Sequence, residues 1–70
     1  MAVLGRATFE VQVHREGRWA INEVLPSEEA ARAKAQSLLT QKGIGGVKII
    51  KETKFSETNT RESEIFCQMK

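Results

Sequence analysis

No aspartate and no tyrosine occur among these 70 residues, and histidine, cysteine, proline and tryptophan occur once each. Each shortage excludes something. A lone cysteine, Cys67, cannot close an internal disulfide, and there is no Cys/His cluster to hold a structural metal. With one imidazole, His14, and one thiol, the stock of groups for nucleophilic or general acid–base catalysis is small. Long apolar runs are missing too. Near the N-terminus only Ala2, Val3 and Leu4 stand together, too few for a signal peptide or a membrane span. A cytoplasmic protein with a reduced thiol and no membrane partner is expected. Charge of one sign is not concentrated either. The net charge is +2 and the pI about 9.0, with Lys and Arg mostly interleaved with Glu. That is the pattern of an ordinary solvated surface and lacks the strongly basic stripe of a dedicated nucleic-acid binder.

What is present is a well-punctuated helix, Ser27 to Lys42, with a strand-turn-strand pattern on each side. Ser27 is a good N-cap, and Glu28 and Glu29 put negative charge in the first turn, where the helix dipole favours it. Gly43 stands where a left-handed C-cap belongs, with Ile44 able to fold back onto Leu39. Ala31, Ala35, Leu38 and Leu39 follow helical spacing and form a narrow apolar stripe. Its first two turns carry only alanine, so that end should lie close to a sheet.

Before the helix, Phe9, Val11 and Val13 alternate with Glu10, Gln12 and His14, the period of a half-buried strand. Arg15-Glu16-Gly17 reads as a turn. If Trp19 and Ile21 share the apolar face of Val11 and Val13, the loop must hold three residues. Trp19 then pairs with Val13, Ile21 pairs with Val11, and Gly17 closes a G1 bulge and sets the register. A two-residue loop at Glu16-Gly17 would instead put Trp19 opposite His14 on the polar face. Pro26 stops the second strand after Leu25. Beyond the helix, Val47 to Phe55 reads as the third strand, Ser56 to Thr60 as a polar turn, and Ser63 to Met69 as the fourth strand. Placing Ile65, Cys67 and Met69 on one face pairs Ile49 with Cys67. The other face then carries Ile50 beside Phe66 and Lys54 beside Glu62, with the fourth-strand glutamates meeting third-strand lysines.

The fold class is therefore α+β: a β-β-α-β-β two-layer sandwich, one four-stranded antiparallel sheet in order 2-1-3-4, with one helix on one face. Residues 1–7 are expected to form a flexible N-terminal arm and residues 8–70 a single small domain. So short a chain buries a modest core, and without disulfide or metal its usual remaining support is a partner or a second copy of itself.

Catalytic, cofactor and metal sites are not expected. This facing places His14 and Cys67 on opposite sides of the sheet. Glu28 and Glu29 are explained by the helix dipole, so paired-carboxylate catalysis finds no site. Gly43-Ile44-Gly45-Gly46 follows the helix, at its negative end, whereas phosphate cradles use the positive one. Two contact surfaces remain. The open sheet face carries Ile50 and Phe66 out of phase with the core, with Gln12 on the same side, and edge strands two and four offer unpaired backbone. The first hairpin gathers His14, Arg15 and Arg18 beside Trp19, with Arg6 on the adjoining arm, a set able to follow a phosphate backbone.

Phe9-Glu10-Val11-Gln12-Val13, an Ala-rich helix, Lys42-Gly43 and Val47-Lys48-Ile49 together resemble the peptidoglycan-binding SPOR domain over about half the chain. The topology differs, because a hairpin precedes the helix and no second helix follows, so no family is assigned. The reading is a non-enzymatic protein-protein interaction module, self-associating or the N-terminal domain of a larger protein. The alternatives are a nucleic-acid-binding module using the basic first hairpin, or a small inhibitor protein.

Overall fold

The computed structural model describes residues 6–56 and 58–70. The elements run β1 (Arg6–Arg15), β2 (Arg18–Leu25), α1 (Glu28–Leu39), β3 (Gly46–Lys54) and β4 (Thr60–Met69). They form one antiparallel sheet in order β2-β1-β3-β4, with α1 on one face, the arrangement the sequence pattern predicts. The strand takes in the last two residues of the expected arm: β1 begins at Arg6, and residues 1–5 lie outside the described residues.

Alternation explains the core. Phe9, Val11 and Val13 of β1 are buried, and Ile49 and Val47 of β3 stand opposite Val11 and Val13. The helix lays Ala31, Ala35 and Leu38 on this patch, and Ile44 fills its end from the following loop. Alanine at two of the three helix contacts lets the backbone of α1 approach the sheet closely. Every fully buried side chain is apolar among the described residues, so hydrophobic burial at ~25 cal/mol per Å² carries the stability.

The helix begins as expected. Ser27 is extended (φ −133°, ψ 150°), and its Oγ accepts the Ala30 N–H at 3.1 Å. Arg32 Nε donates to Glu28 Oε2 at 2.8 Å, and Lys34 Nζ lies 3.5 Å from Glu23 Oε1, joining α1 to β2. It ends earlier than predicted, at Leu39 instead of Lys42. Thr40 turns its hydroxyl back to the Ser37 carbonyl at 2.7 Å, a local bond that competes with another helical turn. Gly43 does take a left-handed φ of 88°, but in the turn after the helix.

Both hairpin registers differ from the sequence expectation. The first loop has two residues, not three: Arg15 pairs with Arg18 and His14 with Trp19. Glu16 and Gly17 have φ of 53° and 81°, the two positive values of a type I′ turn, whose twist matches the strands it joins. The strand then changes phase through a bulge at Asn22, between the pairs Gln12–Ile21 and Val11–Glu23. Before the bulge Trp19 and Ile21 point away from the helix; after it Glu23 and Leu25 point toward it. In the second hairpin, Ile49 pairs with Phe66 and Lys48 with Cys67, and a bulge at Ile65 restores phase before Ile50–Glu64. Glu62 faces Glu52, not Lys54, and Lys54 faces Thr60. The expected lysine partners of Glu62 and Glu64 are thus replaced by Glu52 and Ile50.

The last residues are tied back to the loop before β3. The Gly45 N–H donates to the His14 carbonyl and the Lys70 N–H to the Gly45 carbonyl, each at 2.8 Å, and Lys70 Nζ reaches the Gln41 carbonyl at 2.8 Å.

Candidate functional site

With α1 on one side, the other side of the sheet has no covering layer among the described residues. Register and alternation give its side chains in rows across β2, β1, β3 and β4. The row nearest the first hairpin tip holds Trp19, His14, Gly46 and Met69. The next holds Ile21, Gln12, Lys48 and Cys67. Past the two bulges come Val24, Glu10, Ile50 and Glu64, then Thr8, Glu52 and Glu62, and last Lys54 and Thr60 at the register of Arg6.

Large apolar side chains stand among the polar ones on this face. Of the four large hydrophobic residues that are well exposed, Ile21 (61%), Val24 (53%) and Met69 (51%) are on it, and half-buried Ile50 lies among them. Met69 folds over Gly46, where a Cβ would come within 2.4 Å of its sulfur. Trp19 is half-buried on this face. Lys48 Nζ sits 4.5 Å from its ring centroid and the His14 ring meets it edge-on at 5.0 Å, so a cation–π contact holds the indole in place.

Both signs of charge occur in the half toward the second hairpin turn, where Lys54 lies beyond Glu52. Glu10, Glu52, Glu62 and Glu64 occupy the half toward the second hairpin turn, and none has an ion-pair partner among the described residues. Glu10 accepts a hydrogen bond from Gln12 Nε2. The half toward the first hairpin carries Lys48, while Arg15 and Arg18 at the tip fall on the other side of the ribbon by alternation.

The sequence-predicted residues distribute as follows. Ile50 and Gln12 do lie on the open face. Phe66 does not: it points to the helix side, where it packs against the core and the Arg32 guanidinium stands 5.7 Å from its ring centroid. His14, Arg15 and Arg18 gather at the first hairpin tip as expected. Arg6 is at the other end of β1, about 30 Å from that tip at ~3.3 Å per residue, so it cannot join them. Trp19, expected in the core, belongs to the open face, and so does Cys67, which is exposed. His14 and Cys67 therefore share a face instead of opposing each other. They stand two strands apart, about 10 Å, beyond hydrogen-bond reach.

Trp19, Ile21 and Met69 were not readable as surface residues, because alternation of apolar residues places them with the core. The available signal was Glu16-Gly17, a two-residue hairpin pair, with polar Asn22 interrupting an otherwise alternating strand. No helix among the described residues is long and apolar enough to cross a membrane. No family model matches the chain, and no curated protein or solved structure matches it either.

Proposed function

We propose that this protein is a non-enzymatic contact module that binds protein through its open sheet face. One observation carries the reading: Ile21, Val24, Ile50 and Met69 share a face that α1 does not cover. Single exposed apolar side chains are ordinary, whereas four large ones gathered on one uncovered sheet face suit a docking surface. The four glutamates on the same face oppose a phosphate backbone there. The exposed thiol of Cys67 fits a reducing compartment, and the cytoplasm is the proposed location. The separation of His14 from Cys67 supports a binding role over a catalytic one.

A second reading places nucleic acid at the first hairpin tip. It is favoured by Trp19 lying outside the core beside Lys48, with Arg15 and Arg18 adjacent. One experiment separates the two. Tagged wild type and an Ile21→Glu/Ile50→Glu variant are used for capture from the native cell, with and without nuclease. Complexes that resist nuclease and disappear with the variant support the protein-contact reading. Complexes lost to nuclease, retained by that variant and lost by Arg15→Glu/Arg18→Glu transfer the function to the tip.

A further inference from the structure

We draw no further inference here: the strongest candidate, the sheet face opposite α1 with Ile21, Val24, Ile50 and Met69 on it, is the surface already proposed as a contact, and nothing in the structure shows what covers it.

Discussion

Glu16 holds a φ of 53°, a left-handed conformation that glutamate adopts reluctantly and asparagine adopts readily. Its neighbour Gly17, at φ 81°, supplies the second positive angle of the turn, with no atom near enough to obstruct a side chain. Backbone strain alone therefore decides what these positions accept. Glu16→Asn should stabilise the domain by about 0.5 kcal/mol, and Gly17→Val should destabilise it by about 1–2 kcal/mol. Urea denaturation measures both; a neutral Gly17→Val would show that the turn conformation is wrong. Trp19 illustrates how local geometry decides a side chain's fate. Placing the indole on Val13's face requires a three-residue loop, whereas the two-residue turn at Glu16 and Gly17 pairs Trp19 with His14 on the open face. The bulge at Asn22 then returns Glu23 and Leu25 to the helix side.

At the scale of elements, legibility followed the range of the interactions. The helix start was readable because Ser27, Glu28 and Glu29 act on backbone groups within one turn. Strand order was readable because Val11, Val13, Val47 and Ile49 must all be buried, which puts β1 and β3 in the middle. Register was not, because each bulge is set by what the two strands need from the rest of the sheet. The misplacement of Phe66 and Cys67 follows from the bulge at Ile65 alone. For the candidate site, this meant that Ile50 and Gln12 were found while the apolar residues of β2 were missed. The β3–β4 junction depends on a close approach instead. A Cβ on Gly46 would come within 2.4 Å of Met69 Sδ and 3.0 Å of the Gln68 carbonyl. The methionine can swing away; the backbone oxygen cannot. Gly46→Ala should destabilise by about 1–2 kcal/mol, and Met69→Ala in the same chain should recover part of that loss. A thermal double-mutant cycle showing no coupling would remove Met69 from the contact.

The whole molecule is two hairpins joined at a seam. Pairings within β1–β2 and within β3–β4 are between strands adjacent in sequence, whereas β1 and β3 meet only after the chain has passed through β2 and α1. The core sits on that seam, where Val11 faces Ile49 and Val13 faces Val47. Each hairpin can therefore form early and at small entropic expense, yet neither can bury its apolar face until the seam closes. Seam closure should be the rate-limiting event of folding, and the two kinds of residue should separate in a chevron plot. Val11→Ala and Ile49→Ala should slow folding about fivefold, while Trp19→Ala and Phe66→Ala should act mainly by speeding unfolding. If the seam variants change only the unfolding limb, closure comes after the barrier. Either way, until β1 and β3 meet, each hairpin presents apolar strand surface on both faces and an unpaired edge, so the interval before closure is when this chain is most prone to aggregate.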